Sequence, residues 1–447
     1  MKQIEEFLRE HKIQEVECLV PDMAGIARGK ILPAQKFLKG MKSNGLRIPE
    51  SVFVQTVTGG YPEEDVTSDE AGDCYLVPDI ETIRVVPWYS EPTAQVICDA
   101  YDFKGEPVAI SARHVLKRVL ELYAAEGWTP IVAPELEFFL VDVNTDPDYP
   151  LIPPIGRSGR RETSRQSYGL DAVNEFDPLF EDVYDFCEAQ DIDVDTLTHE
   201  AGAAQMEMNF NHGPALLLAD QAFLFKRTVR EAALRHKVYA TFMAKPMKGE
   251  PGSSMHIHQS VIDAETGQNI FATPSNGRNT KLFLSHIAGL QKYLPHMMPL
   301  LGPNVNSYRR FLRDSDAPIN THWGMENRTV GLRVPHSDAQ SRRIENRLAG
   351  ADCNPYLGIA ASLACGYLGM KQKMKPRQPV QGSAYRLAHT LPRTLQDALH
   401  RFATNRQVKE IIGADFVSAV VAVKEAELDE YQQVISSWER EHLLLNV

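Results

Sequence analysis

Short apolar runs separated by turn residues dominate the first hundred positions. VECLV (16–20), CYLVPD (74–79), IRVVPW (83–88) and AQVICDA (94–100) have the length and β-branched content of strands, and Asp22-Met23-Ala24-Gly25 is a turn between two such regions. The leading MKQIEEFLREHK is charged and helical in pattern. The texture changes around Gly105-Glu106-Pro107. Ser111 is an N-cap candidate, Val115, Val119 and Leu122 recur at helical spacing, and Gly127 supplies a stop. A domain boundary is therefore expected near residue 105.

Strands and helices mix beyond it. Asp177-Pro178 combines a cap with a first-turn proline ahead of Leu179, Val183 and Phe186. A long helix is expected over about 215–236 with Phe225, Val229, Ala232 and Ala233 inward, and another carries Phe283, Ile287, Leu290 and Leu294. The Pro/Gly/Arg-rich segment at 144–167 reads as a long surface loop.

Composition narrows the class. The 447 residues are 43% hydrophobic and 24% charged, the profile of a soluble globular protein long enough to bury a large core. A net charge of −12 disfavours a non-specific nucleic-acid binder. Six scattered cysteines without a C-x-x-C pair read as free thiols in a reducing cytosol. No run of about 18 apolar residues is available to span a bilayer. A cytoplasmic protein without a membrane or nucleic-acid partner is expected.

The chemistry lies in strands that carry charge among apolar neighbours. In APELEFFL, Glu135 and Glu137 share one strand face, as do His256 and His258 in SMHIHQS and Arg343, Glu345 and Arg347 in RRIENR. HEAGAAQMEMNF adds Glu200 and Glu207. Each segment alone has an ordinary explanation, such as a half-exposed pair or a self-neutralising ladder. Together they point to a metal-lined cavity, because unpaired buried carboxylates cost several kcal/mol each. Five glutamates with one imidazole form a hard, oxygen-rich donor set that suits Mg²⁺ or Mn²⁺, two or more per site. Arginines supply the other half: Arg310 in NSYRRFLR, Arg328 and Arg333 in NRTVGLRVP, then Arg343 and Arg347. Guanidinium groups beside divalent metals describe phosphoryl transfer. Arg309, Arg313 and Arg342 read as surface ion pairs. No P-loop or G-x-G-x-x-G stretch is present, so any nucleotide is held by strands and metals.

APELEFFL, HEAGAAQMEMN, ATFMAKPMKGEPGSSMHIHQS, NSYRR, NRTVGLRVP and RRIENRLAGADCNPYL look like the successive catalytic segments of the glutamine synthetase family, in the right order. The chain resembles that family over almost its whole length. The resemblance implies an α+β protein with a small N-terminal β-grasp domain (1–105) and a larger catalytic domain (106–447) built on a curved antiparallel sheet flanked by helices. It also implies a homo-oligomer, a dodecamer of two stacked hexameric rings with active sites between neighbours. Carried over by position, Glu137, Glu200 and Glu207 would hold one cation, and Glu135, His256 and Glu345 the second. His258, Arg328, Arg333 and Arg343 would face the ATP phosphates, with Ser260 near adenine. Gly252, Arg310 and Arg347 would hold glutamate, and Arg328 and Asp316 would be catalytic. The segment from Glu200 to Glu207 is one residue shorter than in bacterial ammonia-using members.

The implied reaction activates the glutamate γ-carboxylate as an acyl phosphate, which an amine then displaces. Ammonia-using members carry an Asp-Gly-Ser-Ser segment where this chain reads SVFVQTVTGGYPEED, and a glutamate flap where RDSDAP places Asp316. LGPNVNSYRRF and THWGMENRTVGLRVP are similar to the γ-glutamylputrescine and γ-glutamylpolyamine synthetase branch, which implies ligation to a primary amine such as a polyamine. A cationic amine calls for carboxylates or aromatic faces. Glu63, Glu64 and Asp65 (from a neighbouring subunit), Trp323, Glu326 and Asp316 are the candidates. The competing expectations are glutamine synthesis from ammonium, a catalytically inactive structural member, and a dimetal hydrolase. The last leaves the arginines without a purpose.

Overall fold

The computed structural model describes every residue except Met1, Asn44, Glu64, Asp65, 68–71, Ser164, Pro274 and 313–315. The first sheet contains β1 (Glu15–Pro21), β2 (Ala27–Pro33), β3 (Arg47–Pro49), β4 (Asp73–Pro78), β5 (Arg84–Val86) and β6 (Thr93–Tyr101). Its order is β2-β1-β6-β4-β3, with β5 also on β6. β6 is buried along nearly its whole length, which explains why AQVICDA is continuously apolar rather than alternating. β2 is an edge strand, blunted by exposed Lys30 and by Arg28.

The second sheet carries the charged segments. It contains β7 (Trp128–Val141), β8 (Val194–His199), β9 (Gln205–Phe210), β10 (Gly213–Pro214), β11 (Tyr239–Thr241), β12 (Met255–Asp263), β13 (Trp323–Met325), β14 (Leu332–Val334) and β15 (Ile344–Asn346). The order is β13-β14-β15-β12-β7-β9-β8, with β10 and β11 also on β7. The antiparallel expectation needs one correction: β13 and β14 run parallel. Glu200 also lies outside the strands, in the turn between β8 and β9.

Helices Ala112–Ala124, Ala215–Arg235 and Pro355–Lys371 pack on this sheet. The last is apolar on nearly every side, so it is buried all round, and it starts on an Asn354 cap followed by a first-turn proline. One apolar core runs from Val16 and Val96 through Val115 to Phe138, Met208, Ile257 and Leu363, joining the two sheets. A buried ionic clip reinforces the junction. Arg113, 1% exposed, donates to Asp99 (2.8 Å), Asp79 (2.6 Å) and Asp220 (2.8 Å), while the Tyr356 hydroxyl donates to Asp220 (2.6 Å).

Among the described residues of 144–167 there is no strand or helix, yet the segment is anchored. Arg161 donates to the Pro153 carbonyl and to Asp142, and Glu162 accepts from His199 (3.1 Å) and the Ala204 N–H (2.8 Å). All six cysteines are free and buried. No described helix is long and apolar enough to cross a membrane.

Candidate active site

Sheet register assembles the site. His256 of β12 lies opposite Glu135 of β7, and Glu137 of β7 lies opposite Glu207 of β9. His258 lies opposite Glu345 of β15, which in turn lies opposite Arg333 of β14. Paired residues share a sheet face, so strands distant in sequence deliver all seven side chains to one side. Glu200 reaches the group from its turn, where its N–H donates to the Gln205 carbonyl (2.8 Å).

The carboxylates form three groups whose donor atoms lie within 4.8 Å of one another: Glu137-Glu200-Glu207, Glu135-His258-Glu345 and Glu135-Glu207-His256. The first is the expected triad. The second differs from expectation in its imidazole: Glu135 and Glu345 group with His258, while His256 lies between Glu135 and Glu207. His256 Nδ1 remains 3.3 Å from Glu135 and 3.6 Å from Glu345, so both imidazoles border the same carboxylates.

The electrostatics show what this face needs. Burial, then the surrounding Glu135, Glu137, Glu200 and Glu345, pushes the Glu207 carboxyl up to about 10. Burial and Glu200 push Glu137 up to about 7, and burial raises Glu200. Burial also acts on Glu345, but Arg347, His256 and His258 outweigh it and hold that carboxyl at about 2. His256 and His258 likewise outweigh burial at Glu135 and lower it. Burial and Arg347 push His256 down to about 4, leaving a neutral imidazole able to donate an electron pair. Five carboxylates here cannot all ionise unaided. That excess of hard, negatively charged oxygen fits a divalent cation of the Mg²⁺ or Mn²⁺ type.

Supporting contacts orient these donors. Glu137 accepts from the Ser254 N–H (2.8 Å) and hydroxyl (2.6 Å), and Ser254 Oγ is 2.9 Å from His256 Nε2. Arg343 donates to His258 Nδ1 (3.1 Å), placing the imidazole proton on Nε2, 2.9 Å from Glu135 but not aligned for a hydrogen bond. Arg333 (2.8 Å) and Arg347 (2.5 Å) both donate to Glu345. Arg310 is buried beside Glu137 and donates to the carbonyls of Leu348 and Arg347 (2.9 Å each). Gly252 allows that placement: a Cβ there would sit 2.6 Å from the Ala244 carbonyl oxygen and 2.7 Å from Arg310 Cγ.

Two cavities open on this face. One, of about 420 Å³, is lined by the five glutamates and His256 with Gly252, Arg310, Asp316, Arg328, Arg333 and Arg347. The other, of about 650 Å³, is lined by His258, Ser260 and Arg343 with the apolar Ile131, Val132 and Ile262. Glu135 and Asn209 line both, so they adjoin.

Other candidates fall elsewhere. Trp323 is buried and lines a separate cavity, because β13 is an edge strand whose indole turns away and donates to the Arg377 carbonyl (2.6 Å). Glu326 is exposed beyond the end of β13 and accepts from Arg333 (3.3 Å). Glu63 is exposed and outside the cleft of its own chain, and Glu64 and Asp65 lie outside the described residues. Arg309 donates to the Tyr431 hydroxyl (2.7 Å) rather than a carboxylate. Arg342 is buried and bonds Asn279, the Gly277 carbonyl and Ser337. Arg313 lies outside the described residues.

Sequence reasoning missed Gln205, Asn209, Tyr168 and Tyr385, which also line the smaller cavity. Gln205 and Asn209 were accessible, since they share a strand face with Glu207 at period two. The two tyrosines come from a turn (Tyr168) and a single 3-10 turn (Tyr385, in Ala384–Arg386), too short to carry a periodic signal.

The comparisons with known proteins agree with this geometry. Residues 109–443 match the family model described as the glutamine synthetase catalytic domain. The chain is 35% identical over 438 residues to gamma-glutamylputrescine synthetase PuuA of Escherichia coli (strain K12), covering 97% of this chain and 92% of that protein. It is 32% identical over 449 residues to the glutamate–isopropylamine ligase of a Pseudomonas species, covering 98% and 96%. Among solved structures, apo GmaS superposes over 100% of both chains with a TM-score of 0.84 at 26% identity.

Proposed function

The chain belongs to the glutamine synthetase family, and from that premise we propose that it ligates the γ-carboxylate of glutamate to a primary amine at the expense of ATP. One observation carries the reading: five glutamates, Asp316, His256 and four arginines line a single cleft that adjoins a half-apolar cavity.

In this reading the larger cavity takes the nucleotide, with Ser260 and the apolar wall beside adenine and His258 and Arg343 on the phosphates. Arg328 and Arg333 reach the transferring phosphoryl group from the smaller cleft. Arg310, Arg347 and the Gly252 backbone hold glutamate. Glu137, Glu200 and Glu207 would hold one cation, and Glu135 and Glu345 with His256 or His258 another. Bound there, Mg²⁺ or Mn²⁺ neutralises phosphate charge.

The glutamate γ-oxygen attacks the γ-phosphorus of ATP, ADP leaves, and γ-glutamyl phosphate forms. Arg328 and Arg333 stabilise charge on the phosphoryl oxygens. Asp316 takes a proton from the alkylammonium, and the freed amine attacks the carbonyl carbon and expels phosphate. The Asp316 backbone is left-handed (φ 60°), a conformation that aspartate adopts more readily than most residues. The names of the Escherichia coli and Pseudomonas relatives favour an alkylamine or diamine over ammonium. Residues 1–105 would form the family's β-grasp domain, and in a cytoplasmic ring assembly a neighbour's Glu63, Glu64 and Asp65 would reach the amine pocket.

ATP turnover with glutamate and a panel of ammonium, isopropylamine, putrescine and spermidine tests the proposal. An organic amine should give the highest kcat/KM. Preference for ammonium would return the chain to glutamine synthesis, and turnover without glutamate would end the ligase reading.

A further inference from the structure

The position of Trp323 outside the cleft exposes a second feature. The indole forms part of a recess of about 640 Å³ with Leu282, Met370 and Met374. Four cations rim it: Lys281, Lys373, Lys375 and Arg377. Among the described residues no acidic one lines it, although the chain carries a net charge of −12. The local sequence KQKMKPR (371–377) packs four cations into seven residues, and Lys371, the one that does not line the recess, alone pairs with a carboxylate, Glu126. Among the described residues, none of the four rim cations has a carboxylate partner within ion-pair distance.

Apart from the exposed Gln378, the walls make little polar demand on an occupant. Trp323 Nε1 donates to the Arg377 carbonyl (2.6 Å), the Arg377 N–H to Gln291 (2.9 Å), and the Ser285 hydroxyl to the Met374 carbonyl (2.8 Å). These bonds fix the shape and leave apolar surface inward with unneutralised positive charge at the mouth. The volume is that of a small-molecule pocket rather than an extended docking groove. Buried apolar area and a charge-assisted contact reinforce each other only in a ligand that has both parts.

We propose that this recess binds a small amphipathic organic anion, free in solution, with its apolar body against Trp323 and its anionic head among Lys281, Lys373, Lys375 and Arg377. The site is separate from the ligase cleft, and the assignment does not depend on the ligase reading.

Decanoate below its micelle concentration is the probe, titrated into the full chain in its native assembly while tryptophan emission is followed. Saturable binding is expected, and Trp323→Phe should abolish the emission change. The exposed pair Lys373→Glu/Lys375→Glu should weaken binding at least tenfold while kcat and KM for ATP and glutamate stay unchanged. Decyltrimethylammonium, of equal chain length and opposite charge, and butyrate, with too little apolar body, should not compete. Three results would overturn the proposal: no saturable binding, equal binding by the cationic analogue or the double variant, or binding that appears only after the assembly dissociates. The last, followed by sedimentation velocity, would make the recess a contact between copies of the chain.

Discussion

Removing the divalent cation should convert the glutamate cluster into a proton store. With Glu207 pushed up to about 10 and Glu137 to about 7, the cation must displace protons to bind. Glu207 is essentially fully protonated across neutral pH, and Glu137 is about three-quarters protonated at pH 6.5 and nearly ionised at pH 8.5. Cation binding should therefore release about 1.8 protons at pH 6.5, falling to about 1 at pH 8.5, and affinity should rise two to three decades, roughly, across that range. Neutral His256, at about 4, adds nothing there.

The same groups set the stability of the cation-free protein. Their folded values lie above the unfolded value near 4.3, so their stabilising contribution is complete below that pH and is lost as pH rises towards the folded values. Stability of the cation-free chain should fall by about 1.4 kcal/mol per pH unit between 6.5 and 8.5 from Glu207 alone, and saturating Mg²⁺ should remove most of that slope. Calorimetric titration with Mg²⁺ in two buffers of different ionisation enthalpy counts the protons, and urea melts with and without Mg²⁺ measure the slope. A buffer-independent heat and an affinity flat from pH 6.5 to 8.5 would refute the clustering of carboxylates around a cation.

Other substitutions probe the site piece by piece. Glu345→Ala should abolish ligation, and because it leaves buried Arg347 without its carboxylate and Arg333 with only the exposed Glu326, it should also lower the urea-derived stability by about 3 kcal/mol. Gly252→Ala drives a Cβ against the Ala244 carbonyl and Arg310, so steady-state kinetics should show a glutamate KM raised tenfold or more, with the amine KM little changed. Asp316→Ala should lower kcat/KM for the amine by about 10²-fold or more and leave single-turnover formation of γ-glutamyl phosphate intact. Arg113→Met removes the shared partner of buried Asp99 and Asp220 and of half-buried Asp79 and should cost about 3 kcal/mol or more in chemical denaturation.

Local pattern alone made much of this protein legible. Period-two alternation placed Glu135 with Glu137 and His256 with His258 on shared strand faces, because a strand's geometry sends alternate side chains to the same side wherever it pairs. Helical spacing located the helices at Ala112–Ala124, Asp177–Ala189, Ala215–Arg235 and Lys281–Tyr293, whereas the caps read at two of them fail: Ser111 makes no capping hydrogen bond, and Asp177 is the first helical residue with Phe176 at the cap position. The ordered series of motifs indicated the family, which the comparisons show. Partnership lay beyond the sequence. That His258 faces Glu345, or that Trp323 turns towards Arg377 and away from the cleft, depends on which strands pair and in what register. Those choices minimise the free energy of the whole core, and no single segment contains the information. Tyr168 and Tyr385 join the cleft from a turn and a single 3-10 turn positioned by distant contacts, so tertiary structure alone brings them in.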